Sequence, residues 1–197
     1  MVPFRVQVKY FVENPEAVDL GGFIGLFQRW IQQKSIGEML IDVADYRHVF
    51  EGPGIVLIGF EGDYSMEIGH RGLGLLYTRK RQLDANLQQQ LRVSFQQALT
   101  ACQLLENDLS VNLKFRTNEA EVRIVDRLLL PNTQESFESV QDDLKAVLSD
   151  VYGSTPVSLS LINDDPRELF TIGVHTEGAP DVSSLLERLQ LSVPKEA

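Results

Sequence analysis

Two nearly continuous apolar runs of strand length stand on either side of one acidic loop, and this arrangement constrains the fold more than any other feature. The runs are "EMLIDVA" at residues 38–44 and "GIVLIGF" at residues 54–60, and the loop between them reads "DYRHVFEGP". Strands that are covered on both faces of a sheet read as continuous apolar runs. We therefore expect both runs to be central strands.

Amphipathic helical stripes alternate with further strand patterns. Apolar residues recur at helical spacing within residues 20–31, 87–105 and 137–148. Period-two alternation or short apolar runs predict strands in "VQVKYFV", "GLGLLYTRK", "VSLSLIN" and "LFTIGVHTEG", while "VNLKFRTNEAEVRIVDR" reads as a hairpin that turns near residues 118–120. These patterns predict an α+β fold, with a mostly antiparallel sheet and helices packed on one face.

The order of these elements repeats along the chain. Pro15 and Pro131 end similar segments that lie 116 positions apart (131 minus 15), and the same offset relates "VLIGFEG" to "TIGVHTEG". We interpret this as an internal duplication of a β-α-β-β unit, with a further helix after each copy. The halves would be residues 1–107, which include the long helix, and residues 108–197, joined in one compact domain.

Charge and composition narrow the classes of function. The chain has 197 residues, a net charge of −10 and a pI near 4.8, so its long-range field opposes nucleic acid. No apolar run reaches the roughly 18 residues of a membrane span, and "MVPFRVQVKYFVENP" lacks a signal-peptide core. Cys102 is the single cysteine, which excludes an internal disulfide. We expect a cytoplasmic protein that binds no nucleic acid and does not span a membrane.

The acidic loop allows two interpretations. Asp42, Asp45, His48 and Glu51 stand three residues apart, and residues i and i+3 eclipse in a 3₁₀ turn. Asp45, His48 and Glu51 could therefore bind a divalent metal or supply an acid/base pair. Alternatively, the loop is a solvated turn, since aspartate side chains bond to backbone amides in turns. The second-half loop "NDDPREL" is also acidic and carries an arginine, which favours the turn for part of this acidity.

Binding candidates come from this loop and from the segment "MEIGHRGLG". The residues are Asp45, Tyr46, His48 and Glu51, with His70 and Arg71 lying either near this loop, between strands expected to be antiparallel neighbours, or at an exposed hairpin tip. The basic cluster of residues 79–81 is either a solvated strand end or a contact for a carboxylate or phosphate.

No nucleophile with a matching base can be nominated, because the chain has three histidines, one cysteine and no serine elbow. We assign no catalytic residue and no cofactor. The sequence favours a non-enzymatic binding, assembly or regulatory protein that recognises a protein partner, a second copy of itself or a small molecule through residues 44–54. Strands such as "VNLKFR" or "LFTIGVH" could form the edge for association. The alternative is a divalent-metal-assisted hydrolase or lyase centred on Asp45, His48 and Glu51.

The stretch "LIDVADYRHVFEGPGIVLIGFEGDYSM", followed by "GLGLLYTRKR" and together with "ALTACQLLE" and "RLLLPNT", resembles a family of small bacterial proteins of uncharacterised function. The resemblance covers most of the chain. It implies a cytoplasmic bacterial protein, and it implies no activity, cofactor or catalytic residue.

Overall fold

Eight antiparallel strands form one sheet, and four helices pack on one of its faces, as the sequence predicts. The structure is a computed structural model that describes Pro3, residues 5–69 and residues 71–191. The strands are β1 (Val6–Val12), β2 (Leu40–Tyr46), β3 (Gly54–Gly59), β4 (Gly62–Glu67), β5 (Gly74–Arg79), β6 (Phe115–Ile124), β7 (Val157–Leu161) and β8 (Phe170–Thr176). The helices are α1 (Gly22–Gln33), α2 (Leu87–Asn107), α3 (Gln134–Tyr152) and α4 (Val182–Leu191).

The strand order is β2-β3-β4-β5-β1-β6-β8-β7, so β2 and β7 lie at the two edges. The neighbouring interior strands β1 and β6 come from opposite halves of the chain and pair antiparallel. The two predicted halves therefore share one sheet and one apolar core. No helix among the described residues is long and apolar enough to cross a lipid bilayer.

The core lies between the sheet and the helices. Alternate residues of β1, Val6, Val8 and Tyr10, are completely buried in it, as period-two alternation requires. Below them the apolar stripe of α2, which includes Phe95, belongs to the same cluster, and the Tyr10 and Phe95 rings meet edge to face at 6.4 Å. Cys102 is buried in this stripe, and burial raises the pKa of its thiol well above the ordinary value. Cys102 is therefore a core residue.

The predicted hairpin within residues 111–127 is wrong. Strand β6 runs without a turn from Phe115 to Ile124, and the extra residues near the predicted turn are accommodated where its register against β1 shifts. Thr117 is buried at this irregularity, and its carbonyl accepts a hydrogen bond of 3.0 Å from the Tyr152 hydroxyl. The core thus satisfies a backbone group that the bulge removes from the ladder.

The predicted duplication with an offset of 116 is not confirmed. That offset equates β3 with β8, but β8 pairs with β6 whereas the β4–β5 hairpin separates β3 from β1. Strand β8 lies directly beside β6, and the strand that lies directly beside β1 is β5. The β2–β3 hairpin therefore lengthens the sheet on the β5 side only. Strand β4, "GDYSME", matches none of the predicted strands. All its residues except Asp63 are buried, but only Tyr64 and Met66 among them are large and apolar, which hides the strand pattern.

The expectation of two central strands holds for β3 but fails for β2. Every residue of β3 except Ile58 is buried, whereas β2 pairs only with β3 within the described chain and exposes residues such as Ile41. The segments predicted to lie at an edge, "VNLKFR" and "LFTIGVH", include parts of β6 and β8, which are interior strands. An apolar strand therefore occupies an edge.

We expect a Gly54→Ala substitution to lower the free energy of unfolding by about 2–5 kcal/mol. Gly54 has φ +66, and an added Cβ would lie 2.0 Å from the Met66 carbonyl oxygen. The matched control is Gly25→Ala on the exposed side of α1, where nothing lies within 4 Å of an added Cβ. This control should raise stability by about 0.5–1 kcal/mol. Urea denaturation of both variants measures the two effects. Equal effects would contradict the positive φ of Gly54 and its close contact with Met66 at the start of β3.

Candidate functional site

The loop between β2 and β3 is a sequence of tight turns. The Val49 N–H donates to the Tyr46 carbonyl at 3.0 Å, and the Gly52 N–H donates to the Val49 carbonyl at 3.1 Å. An added Cβ on Gly52 would lie 2.7 Å from the Val49 Cβ, so a glycine is needed there. Glu51 has a left-handed backbone with φ +50, which is uncommon outside glycine. Hydrogen bonds and close packing thus hold the loop in one conformation, in which Glu51 has a strained backbone.

Asp45 stabilises the turn of this loop. Its carboxylate accepts the Arg47 backbone N–H at 3.0 Å and hydrogen bonds from the guanidinium Nε and Nη2 atoms, the shortest of them 2.6 Å. The Arg47 side chain and then its backbone N–H lower the pKa of Asp45 to about 2. Asp165 and Arg167 make the same contacts in the loop between β7 and β8. Part of the acidity that the two loops share, Asp45 and Asp165, is therefore explained by turn formation.

Tyr46 and His48 are exposed to solvent, and their rings stack with centroids 6.3 Å apart. Asp45 turns toward Arg47 instead of toward these rings. Among the residues that the structure describes, no group of three or more His, Cys, Asp and Glu side chains could hold a metal ion. The grouping of Asp45, His48 and Glu51 into a metal centre therefore gains no support.

Glu51 and Arg71, two predicted site residues, line one cleft on the sheet face opposite the helices. The cleft has a volume of about 180 Å³, and its walls come from β4, β6, β8 and the loops that follow β2, β4 and β7. Asp45, Tyr46 and His48 are not among the lining residues. His70, the remaining candidate, lies outside the described residues.

A buried network of charges forms the floor of this cleft. The fully buried Lys9 ammonium pairs with Glu67 and donates to the Gly72 carbonyl at 2.7 Å. The Arg123 guanidinium donates to Glu67 at 2.9 Å and to Glu121 at 2.7 Å. The Glu121 side chain is only 1% exposed. These contacts connect β1, β4 and β6 across the centre of the sheet.

Arg71 closes the network from the loop between β4 and β5. Its guanidinium pairs with Glu119 at 3.0 Å and with Glu121 at 3.1 Å, and it lies 5.7 Å from the centre of the Phe11 ring. The Glu121 Oε1 atom accepts no hydrogen bond of good geometry, so its contact with Arg71 is an ion pair only. Both arginines of the cleft are thus already neutralised by carboxylates.

The pKa shifts show that pairing outweighs burial for Glu67 but not for Lys9. Burial lowers the pKa of Lys9, and the neighbouring Glu67 offsets only part of this change. Burial alone would raise the pKa of Glu67, but the hydrogen bonds and attraction of Arg123 and Lys9 outweigh it, so this pKa lies below its ordinary value. The charges in the cleft floor thus hold β1, β4 and β6 to one another through ion pairs.

Most of the exposed large apolar side chains lie around β2, at one edge of the sheet. Six of the ten large apolar side chains that are exposed in the described chain fall between residues 39 and 60, and Phe50 alone is 88% exposed. We call this group the edge surface, and its members are Met39, Ile41, Tyr46, Val49, Phe50 and Phe60. The opposite edge strand, β7, instead exposes Ser158 and Ser160.

The basic cluster of residues 79–81 lies beside the edge surface and is mostly neutralised. Arg79 pairs with Glu61 at 3.0 Å, and Lys80 pairs with Asp63 at 2.7 Å. The guanidinium of Arg81 lies 4.3 Å from the centre of the Phe60 ring. The cluster is therefore a charged strand end, with Arg81 left next to the apolar surface.

Comparisons of the chain with protein-family models, with curated proteins and with solved structures found no match. The resemblance to small bacterial proteins stays a prediction.

Sequence reasoning missed the main residues of the edge surface, Met39, Ile41 and Phe60. One signal could have identified them, because Asp42 interrupts the apolar run of β2. Charges within a strand are typical of sheet edges, where they discourage pairing with other chains. Asp42 therefore argues against a strand that is covered on both sides.

We expect Glu67→Gln to lower the free energy of unfolding at neutral pH by about 3–5 kcal/mol, because Lys9 and Arg123 would keep their buried charges without full compensation. The pKa of Glu67 is lowered by folding, so its stabilising contribution is complete above its unfolded value of 4.5 and is lost as pH falls through the folded value. The gap between wild type and variant should therefore narrow below pH 4.5. Urea titrations over a pH series measure it.

The matched control is Glu119→Gln, since the Glu119 side chain pairs with Arg71 but is 28% exposed. Its cost should stay below about 1 kcal/mol. A Glu67→Gln penalty as small as this, or one that does not change with pH, would contradict a structural role for the network.

Proposed function

We propose that the protein is a non-enzymatic binding or assembly protein that holds a protein partner on the edge surface. One observation carries the proposal, namely that an apolar strand with exposed neighbours lies at the edge of the sheet. Large exposed apolar patches on soluble domains mark interaction sites. We place this activity in the bacterial cytoplasm, as the sequence resemblance implies.

The chemistry of the edge surface supports a protein partner. Tyr46, Phe50 and Phe60 supply aromatic rings, and aromatic side chains are enriched among the residues that dominate binding energy. Arg81 stands at the margin of this surface, which suits the polar rim of an interface. Recognition through the loop of residues 44–54 is thereby retained, but its centre moves from His48 and Glu51 to Phe50 and the adjacent strand.

The charged cleft favours a structural role over a binding role. Its arginines are engaged by Glu67, Glu119 and Glu121, so a bound anion would have to compete with carboxylates that are already in contact. The metal-assisted hydrolase or lyase has no supporting group of ligands in the part of the chain that is described. Protein binding at the edge therefore explains more of the surface than either alternative.

Substitution of the edge surface tests the proposal. We expect the double variant Ile41→Ser, Phe50→Ser to bind the partner at least about tenfold more weakly, because losing one dominant interface residue costs about 2 kcal/mol or more. Proteins captured from the native cytoplasm by wild type but not by the variant would be purified. Their affinities for both forms would then be measured by calorimetry.

The matched control is the double variant Leu109→Ser, Leu128→Ser, since both leucines are almost completely exposed but lie outside the edge surface. It should bind the partner like wild type. Equal binding by the edge variant and wild type would refute the proposal, provided that thermal unfolding shows the edge variant to be folded.

A further inference from the structure

On the outward edge of β2, one backbone N–H is hydrogen-bonded to a side chain of the same strand. The Val43 N–H donates to the Asp42 carboxylate at 2.8 Å, so it is not used in the ladder with β3. A register shift between Leu40 and Asp42 leaves Ile41 without a partner residue on β3. Bulges and charges of this kind limit uncontrolled pairing at an edge. The Asp42 carboxylate thus blocks this N–H of the edge strand, but the carbonyl of an incoming strand can replace it.

Two depressions flank this edge, one on each face of the sheet. On the helix side, a groove of about 540 Å³ lies between the end of α1 and the start of β2, and its apolar lining includes Ile31, Ile36 and Leu40. On the opposite side, a depression of about 270 Å³ is lined by Ile41 and Phe60 together with Gly59, Lys80 and Arg81. Successive side chains of a strand point to opposite faces. An added strand would therefore place alternate side chains in the two depressions.

We propose that β2 is extended by a strand from another protein, an apolar extended segment that carries a basic residue opposite Asp42. This inference rests on the proposed function and names the partner's chemistry. A carbonyl of the segment accepts the Val43 N–H and displaces the Asp42 carboxylate. The displaced carboxylate, now at the margin of an interface, is stabilised by a lysine or arginine of the segment. Backbone hydrogen bonds supply affinity and the two depressions supply selectivity.

Charge argues against a second copy of this chain as the added strand. Each copy carries a net charge of −10. Two β2 strands paired antiparallel about Val43 would bring the two Asp42 carboxylates diagonally across from each other, with no cation from the described chain paired to Asp42. Like charges across a strand pair are destabilising. A basic segment of a different protein removes this repulsion.

Synthetic peptides test strand addition on the intact chain. The probe is a capped peptide of about eight residues, the usual upper length of a strand, made of valine and threonine with one central lysine. One matched peptide replaces the lysine by glutamate. Two further peptides are methylated at every second backbone nitrogen, one at the odd positions and one at the even positions. Fluorescence anisotropy gives the affinities, and amide hydrogen exchange reports on Val43.

We expect the lysine peptide to bind at least tenfold more tightly than the glutamate peptide, and methylation in one register to weaken binding at least tenfold. Exchange of the Val43 amide should slow at least tenfold on binding. Asp42→Asn should remove the preference for lysine over glutamate while binding is kept. This variant distinguishes recognition of Asp42 from a general attraction to an acidic protein.

Absence of binding by all peptides, equal binding of the methylated peptides, or unchanged exchange at Val43 would overturn strand addition. Light scattering that shows a dimer with Val43 already protected would also overturn it, since a second copy would then occupy the edge. These failures leave the proposed function standing as long as Ile41→Ser, Phe50→Ser still loses its partner. If that double variant keeps its partner, the proposed function itself fails.

Discussion

The pairing of Lys9 with Glu67, and of Glu67 with Arg123, is the interaction on which the rest of the sheet depends. Lys9 is on β1, Glu67 on β4 and Arg123 on β6, so three strands from both halves of the chain meet at one cluster of buried charges. The helices cover only one face, and the cluster lies on the other. Ionic contacts and the overlying loops therefore hold and cover this face of the sheet, whereas the apolar core and the helices cover the other face.

This solution carries a physical constraint. Burying an ion costs several kcal/mol, and only excellent geometry repays that cost, so an unpaired member of the cluster would destabilise the protein strongly. The cluster meets the requirement by sharing carboxylates, since Glu67 contacts Lys9 and Arg123 while Glu121 contacts Arg123 and Arg71. An anion that bound Arg71 or Arg123 in the cleft would compete with the carboxylates that already contact them. This competition is one reason why the proposed binding site is placed at the edge of the sheet.

The sequence predicts much of the fold because helical and strand periodicity survive in the core. The stripe that includes Phe95 and the alternation of Val6, Val8 and Tyr10 are visible without a structure, and they yield the α+β class. Strand β4 is not visible, since "GDYSME" places few apolar residues in the buried positions of a strand. Position within the sheet is hard to see as well, because an apolar run such as β2 reads much alike at the centre and at the edge, and only Asp42 within the run indicates an edge.

The candidate site shows the same limit. Asp45, Tyr46, His48 and Glu51 stand at suggestive spacing, but the structure turns Asp45 toward Arg47 and directs Glu51 into the cleft. Spacing along a loop does not determine where side chains point once the turns are tight. The partners of the charged network are distant in sequence, as with Lys9 and Glu67, so no local pattern could reveal them.

The start of the edge strand is fastened by hydrogen bonds, which suits the proposed recognition through backbone hydrogen bonds. The Glu38 carboxylate, just before β2, accepts the Glu61 N–H at 2.7 Å, the Gly62 N–H at 3.2 Å and the Tyr64 hydroxyl at 2.6 Å. These bonds fasten the entry of β2 to the turn between β3 and β4. A strand that is ordered before it binds loses little conformational entropy on association. The β2–β3 hairpin therefore combines a fastened backbone with exposed apolar side chains, and in the proposed strand addition Asp42 selects a segment that carries a basic residue.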